Sequence, residues 1–279
     1  MRKITSKKID AFRDYLINDE KAAATVNKYT RDVEIFTEWL GERGLDKSAV
    51  LDYKAAVITQ YAPTSVNAMI SSLNCFFTFC EWYELRVKAI KIQRQIFTQQ
   101  EKELTKAEYL RLLSAARQKK NERLYLVMQT ICSTGIRISE LRFVTVTATE
   151  RGRMEIQCKG KRRTVFMPKQ LCGMLKKYIK ERKIKNGAVF ITKNGTPIDR
   201  SNVWAEMKNL CEAARVSKTK VFPHNLRHLF ARVYYNLQKD IVRLADILGH
   251  SSVNTTRIYT MESGEVHCRQ IQRLGLVFE

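Results

Sequence analysis

Three of the four histidines in this chain lie between positions 224 and 250, in two short segments that precede a tyrosine. The first segment reads His-Asn-Leu-Arg-His at 224–228, the second reads Leu-Gly-His at 248–250, and Tyr259 follows nine residues after the last histidine. A further arginine, Arg137, stands far upstream in Thr-Gly-Ile-Arg-Ile-Ser-Glu-Leu at 134–141. If these side chains act together, the chain must fold so that positions 137 and 259 share one pocket.

These residue types suit an attack on a DNA phosphodiester without a metal. Negative charge grows on the non-bridging oxygens in the transition state, and Arg137 and Arg227 would hold it, because a guanidinium bonds phosphate bidentately and stays protonated. Tyr259 is the candidate nucleophile, since a phenol becomes reactive when a neighbour takes its proton. Lys159, in the Lys-Gly-Lys turn at 159–161, would protonate the departing 5′ oxygen.

The chain resembles the tyrosine recombinases of the phage-integrase and Xer type. The matching segments are residues 134–141, the Lys-Gly turn before Pro168, the His-x-x-Arg-His of 224–228, Leu-Gly-His at 248–250 and Thr-Thr-Arg-Ile-Tyr-Thr at 255–260. The resemblance covers most of residues 105–279. The first hundred residues resemble the family's core-binding domain in helical pattern only.

The resemblance implies the roles of individual residues. Carried over, the family's catalytic set falls on Arg137, Lys159, His224, Arg227, His250 and Tyr259. It implies a covalent 3′-phosphotyrosine on Tyr259, with His224 and His250 handling the phenol proton and transition-state contacts, and it requires no cofactor, metal or ATP. Glu140, one turn after Arg137, is expected to orient that guanidinium.

The turn at 159–161 departs from the common form of the family by about one residue. Lys161 is therefore a second candidate for the acid, and the choice between Lys159 and Lys161 stays open. Lys161, Arg162 and Arg163 are also expected to contact DNA phosphates from the tip of a hairpin.

The resemblance further implies a homotetramer on double-stranded DNA with inverted-repeat core sites, and leaves room for an accessory directionality factor. The apolar residues of 262–279 are expected to dock on a neighbouring subunit, with packing on their own domain as the alternative. The expected task is integration and excision of a mobile element, and Xer-type resolution of chromosome or plasmid dimers is the alternative. A type IB topoisomerase and a non-enzymatic DNA-binding regulator are the rival functions.

Charge agrees with a polyanionic partner. Residues 1–97 carry 15 Lys and Arg against 12 Asp and Glu, or +3, whereas residues 98–279 carry 35 against 16, or +19. A basic excess concentrated in the segment with the phosphate-reactive set favours DNA binding over general solubility. The chain has no run of about 18 apolar residues and its seven cysteines form no Cys-x-x-Cys pair, so we expect a cytoplasmic, nucleoid-associated protein with neither a membrane span nor a zinc site.

Apolar spacing predicts a mainly α protein with a small β-sheet. We expect an N-terminal four-helix core-binding (SAM-like) domain at 1–90, a linker at 91–104 and an α+β catalytic domain at 105–279. The predicted helices are 7–17, 25–40, 47–61, 65–82, 105–118, 121–134, 168–182, 201–215, 224–237 and 240–248. Two strands, 154–158 and 164–167, would flank a mobile tip at 159–163. A capping box at 105–108, Gly135 and Gly249 are predicted to mark helix ends.

Overall fold

The computed structural model describes residues 2–92, 100–158, 161–192, 194–259, 268–269 and 271–276. The chain divides into two compact units, residues 1–94 and 95–279, and each unit has a hydrophobic core of its own. Helices account for most of the described residues, and the second unit also contains a small antiparallel sheet. The predicted fold class is confirmed.

The first unit is a helical bundle around an aromatic core. Its helices are α1 (Ser6–Asn18), α2 (Ala23–Leu40), α3 (Lys47–Gln60) and α4 (Pro63–Phe79). Phe12, Phe36, Phe76 and Phe77 are fully buried, and the rings of Phe36 and Tyr53 lie 4.9 Å apart. These aromatic side chains therefore pack the core of the first unit.

Helix α4 begins at a proline. The predicted helix at 65–82 runs from Pro63 to Phe79 in the structure. Proline fits the first helical position because its fixed φ is already helical and its missing N–H would have no partner there.

The second unit begins with two capped helices. They are α5 (Lys106–Gln118) and α6 (Glu122–Thr134). The predicted capping box is present: Thr105 Oγ1 accepts from Glu108 N at 3.1 Å, and Thr105 N donates to Glu108 Oε2 at 2.8 Å. Gly135 ends α6 in the left-handed conformation, with φ of 67°.

The remaining elements follow from a turn of 3-10 helix at Ile138–Phe143. They are α7 (Val146–Arg151), β1 (Arg153–Cys158), β2 (Lys161–Phe166), α8 (Lys169–Glu181), α9 (Arg200–Lys208), α10 (Cys211–Ala214), α11 (Pro223–Gln238), α12 (Ile241–Leu248), α13 (Val253–Thr256) and a 3-10 turn at Arg257–Tyr259. Among the described residues, none of the helices combines the length and apolarity that a bilayer span needs.

The hairpin differs from the prediction. Strand β2 begins at Lys161, which pairs with Cys158, so the expected mobile tip at 159–163 is wrong for its last three residues. The three consecutive basic residues lie on a strand whose side chains alternate between its two faces. Arg162 is exposed, whereas Arg163 lies opposite the buried Ile156. Lys159 and Gly160 lie outside the described residues.

The single helix predicted at 201–215 is also wrong, because it is interrupted between α9 and α10. At the interruption, Lys119 Nζ donates to the carbonyl of Asn209 at 2.6 Å. Arg111 Nε donates to the carbonyl of Ala214 at 2.9 Å. Both donors belong to the segment around α5, so contacts remote in sequence accompany the break and the end of α10.

We expect Gly135→Ala to destabilise the protein more than Gly152→Ala. Both glycines have φ of 67°, but a Cβ at Gly135 would overlap the Phe230 ring, whereas a Cβ at Gly152 would meet nothing within 4 Å. The control change should cost about 1–2 kcal/mol of unfolding free energy, and Gly135→Ala roughly 1–3 kcal/mol more. Denaturant unfolding of the full chain measures both, and equal losses would contradict the packing argument.

Candidate active site

Helix α11 positions the first two candidate residues. It begins at Pro223, so His224 lies in its first turn and Arg227 one turn further along the same face. Arg227 is 1% exposed, whereas His224 is exposed at the surface. The His224 and His228 rings, four residues apart, contact edge to face with centroids separated by 4.5 Å.

The guanidinium of Arg227 joins the ends of two helices. Its Nη1 donates to the carbonyl of Gly135 after α6 at 2.6 Å, and its Nη2 donates to the carbonyl of Leu248 at the end of α12 at 2.7 Å. Helix C-termini carry partial negative charge, so they stabilise a buried cation. Burial and the nearby Arg137 lower the pKa of Arg227 to about 10, which leaves it charged at neutral pH.

One donor of Arg227 has no hydrogen-bond acceptor. The buried Nε makes no hydrogen bond to any described residue. An unsatisfied buried N–H is costly, and a donor on a cation is most strongly satisfied by an anionic oxygen. Because Nε is shielded from solvent, an anion reaches it only when the residues that cover it move.

Glu140 holds the second arginine. Arg137 Nη1 lies 3.1 Å from Glu140 Oε1, and Arg137 N donates to Glu140 Oε2 at 2.7 Å. The Glu140 side chain is 3% exposed and the Arg137 side chain 39% exposed. Glu140 therefore orients the guanidinium from its buried side, while the other side faces solvent. The expected contact between these two residues is present.

Arg163 lies inside the site and not on its rim. Its Nη2 donates to Glu140 Oε2 at 2.8 Å, its side chain is 15% exposed, and a Cβ at Gly249 would overlap its guanidinium. Arg163 therefore does not lie at the tip of the hairpin, and its contact with DNA phosphate stays a prediction. Arg162 is exposed, as a phosphate contact would require. Lys159 and the side chain of Lys161 lie outside the described residues, so the choice between the two lysines stays open.

His250 follows the left-handed Gly249 that ends α12, as predicted. Its Nε2 lies 3.0 Å from Arg227 Nη2, and its Nδ1 lies 2.9 Å from Thr256 Oγ1. Burial, followed by the charges of Arg227 and Arg137, lowers the pKa of His250 to about 4. The imidazole is therefore neutral at physiological pH.

Tyr259 completes the cluster. The 3-10 turn at Arg257–Tyr259 returns its ring to the histidines, and the residue is 4% exposed. The ring meets His228 edge to face at 4.8 Å between centroids and lies nearly parallel to His250 at 6.0 Å. Arg137, His224, Arg227, His250 and Tyr259, distant in sequence, are thus placed in one region.

The imidazoles around Tyr259 are biased towards their neutral forms. Burial, and then His224 and Arg232, lower the pKa of His228 to about 3. His224 is exposed at the surface, but desolvation by the surrounding protein lowers its pKa. The charges of Arg227 and Arg137 lower this pKa further. A neutral imidazole can accept a proton from a phenol, which an imidazolium cannot.

Sequence reasoning left His228 and Thr256 out of this site, and it placed Arg163 at the tip of a hairpin and not inside the site. His228 stands four residues after His224, a spacing that places both rings on one helical face. Arg163 could have been found only with the correct strand register, and Thr256 only from the path between His250 and Tyr259.

Comparisons with known proteins cover both units. Residues 102–265 match the model of the phage integrase family, and residues 9–84 match the model described as phage integrase, N-terminal SAM-like domain. A protein of Thermosipho africanus named "Tyrosine recombinase" is 30% identical over 274 residues, which are 91% of this chain and 94% of the relative. "Tyrosine recombinase XerA" of Thermococcus kodakarensis is 29% identical over 282 residues, covering 97% and 96%.

Among solved structures, a lambda integrase tetramer bound to a Holliday junction has a TM-score of 0.72 at 18% identity. The alignment covers 91% of this chain and 76% of that chain. At this level of identity the likeness shows a shared fold.

We expect Arg227→Lys and Arg137→Lys to differ in stability. A lysine at 227 cannot donate to the carbonyls of Gly135 and Leu248 together, so we expect a loss of about 3 kcal/mol, since hydrogen bonds to charged groups contribute about 1.5–3 kcal/mol each. A lysine at the half-exposed position 137 can still pair with Glu140 and should cost about 1 kcal/mol or less. Denaturant unfolding tests this, and equal losses would contradict the assigned role of Arg227.

We expect His228→Phe to flatten the pH dependence of stability. The unfolded chain binds a proton at His228 near its ordinary pKa of about 6.5, whereas the folded pKa is about 3. Stability present above that unfolded pKa is therefore lost as pH falls below it. The variant should remove up to about 1.4 kcal/mol per pH unit from the slope between pH ~6 and ~4. Unfolding curves across this range measure the slope, and identical slopes would contradict the shift.

Proposed function

Because the chain belongs to the phage integrase family and is a tyrosine recombinase, an enzyme that cleaves and rejoins DNA, we propose that Tyr259 is its nucleophile and that it acts at specific sites. The observation that carries this assignment is the cluster around the buried Arg227 guanidinium. Arg227 contacts His250, and both lie beside the Tyr259 ring. The residues supply a cation, proton acceptors and a phenol in one place.

The two arginines bind the scissile phosphate in this proposal. The unpartnered Nε of Arg227 and the solvent-facing part of Arg137 donate to its non-bridging oxygens. Both guanidinium groups are held before DNA arrives, Arg227 by helix-end carbonyls and Arg137 by Glu140. Donors fixed in advance stabilise the developing charge without reorganising during the reaction.

Cleavage is a transesterification, in which the phosphoester bond to the 5′ oxygen is replaced by one to Tyr259. The Tyr259 oxygen attacks phosphorus, its proton passes to a neutral imidazole, His224 or His250, and the bond from phosphorus to the 5′ oxygen breaks. Lys159, or Lys161 as the alternative, gives that oxygen a proton. A 5′ hydroxyl of the partner duplex then attacks the phosphotyrosine and releases Tyr259, so the bond energy is retained.

The DNA partner fits the distribution of charge. The net charge of +19 on residues 98–279 supplies non-specific attraction to the phosphate backbone. Arg162 extends this surface from the hairpin, and Lys161 is assigned there with it. We assign the chain double-stranded DNA with inverted-repeat core sites and a homotetrameric assembly, which the lambda integrase tetramer of the same fold supports.

The biological task is proposed as integration and excision of a mobile element, on nucleoid DNA in the cytoplasm. An accessory directionality factor belongs to that proposal, as does docking of the segment 262–279 on a neighbouring subunit. Xer-type dimer resolution is the alternative, and it is supported by the match along nearly the full length of a relative named XerA.

Covalent capture tests the proposed chemistry. Wild type, Tyr259→Phe and the control Tyr235→Phe are incubated in EDTA with a library of nicked duplexes, and adducts are separated under denaturing conditions. We expect adducts with wild type and Tyr235→Phe and none with Tyr259→Phe, while the DNA affinity of all three stays the same. Sequencing of trapped DNA should return one recurring inverted repeat.

An adduct that persists in Tyr259→Phe would place the nucleophile elsewhere. No adduct with wild type on any DNA would favour a DNA-binding regulator. With two duplexes present, joint products distinguish a recombinase from a type IB topoisomerase, which would relax supercoils at arbitrary sequence without joining duplexes.

A further inference from the structure

Both ring nitrogens of His250 are occupied by polar neighbours. Arg227 Nη2 lies 3.0 Å from Nε2, and Thr256 Oγ1 lies 2.9 Å from Nδ1. Both distances are those of ordinary hydrogen bonds. The two contacts together determine which nitrogen carries the proton.

The guanidinium settles the tautomer because it can only donate hydrogen bonds. His250 Nε2 must therefore present its lone pair to Arg227. The ring is neutral at physiological pH, so its one N–H belongs to Nδ1 and is donated to Thr256 Oγ1. The other tautomer would direct an N–H at the N–H of Arg227.

Thr256 is held rigidly in the position to accept that proton. It is the last residue of α13, is 0% exposed and stands three residues before Tyr259. Ser252 caps the helix, since its Oγ accepts from Asn254 N at 3.2 Å. A β-branched side chain has few χ1 rotamers, so this short capped turn fixes the direction of the hydroxyl.

We propose that Thr256 is a positioning residue for DNA cleavage, whose hydroxyl accepts the Nδ1–H of His250 and keeps the Nε2 lone pair directed at Arg227. The proposal rests on the proposed function, in which Arg227 binds the scissile phosphate. The hydrogen bond made by one imidazole nitrogen sets the state of the other. Thr256 thus acts on the reaction through His250 and does not touch the DNA.

The assigned tautomer fixes Arg227 beside the phosphate site. His250 Nε2 accepts from Arg227 Nη2 at 3.0 Å, so a ring with its proton on Nε2 would release that edge of the guanidinium. The groups that oppose a positive His250 are Arg227, Arg137, Arg163 and His224. These groups favour the neutral ring, so the Nε2 lone pair stays on Arg227.

The test compares Thr256→Val, Thr256→Ser and the neighbouring control Thr255→Val, whose side chain is exposed. Nitrogen-15 NMR of the DNA-free full chain reports the His250 tautomer, and single-turnover cleavage of a nicked duplex reports the rate. We expect the Nδ1–H form in wild type, Thr256→Ser and Thr255→Val, with normal rates. Thr256→Val should lose that preference and cleave on the order of tenfold more slowly, the worth of one neutral hydrogen bond, with unchanged DNA affinity.

Two results would overturn the proposal: an Nε2–H tautomer in wild type, or a Thr256→Val variant with wild-type rate and tautomer. A melting curve shows whether Thr256→Val folds, and if it does not, the wild-type tautomer decides. If wild type forms no adduct with any DNA, the proposed function fails, whereas the NMR measurement still decides the role of Thr256.

Discussion

The second unit depends on one buried cation. Arg227 has 1% of its surface exposed, yet it bonds the carbonyl ends of α6 and α12 and touches His250. Removing a guanidinium from water is expensive unless its donors are satisfied, and here the negative ends of two helices satisfy them. The same bonds bring the loop with Arg137 and the loop with His250 to one point. Folding and assembly of the site are therefore one event.

The described charged side chains around Arg227 are mostly positive. Arg137, Arg163 and Arg227 converge, and the only carboxylate described among them as a hydrogen-bond partner is Glu140. Burial, together with this excess of positive charge, lowers the pKa of His250 to about 4. Within the part of the chain that the structure describes, the DNA-free site holds neutral imidazoles and more cationic than anionic side chains. An anion is the ligand that balances it.

Much of the fold and of the site could be predicted from the sequence, because local helix signals agree with the order of the motifs along the chain. The capping box at Thr105, the helix-ending Gly135 and Gly249, and most helices follow from side-chain chemistry within a few residues. The hairpin register did not, since consecutive basic residues resemble a solvated turn until Ile156 is known to lie opposite Arg163. At the interruption between α9 and α10, the carbonyl of Asn209 accepts from Lys119, which is 90 residues away. The acceptor role of Thr256 required the positions of both its partners.

The burial of Tyr259 has a consequence for encounters of a DNA-cleaving protein with DNA that is not its target. A strongly basic surface slides along DNA of any sequence and meets vast numbers of phosphates that are not its target. Tyr259 is 4% exposed because it packs against Leu248, His228 and other neighbours, so its phenol stays buried during these encounters. On the proposed role of Tyr259 as nucleophile, contact with the DNA backbone alone is then insufficient for cleavage, and DNA that is not the target stays intact.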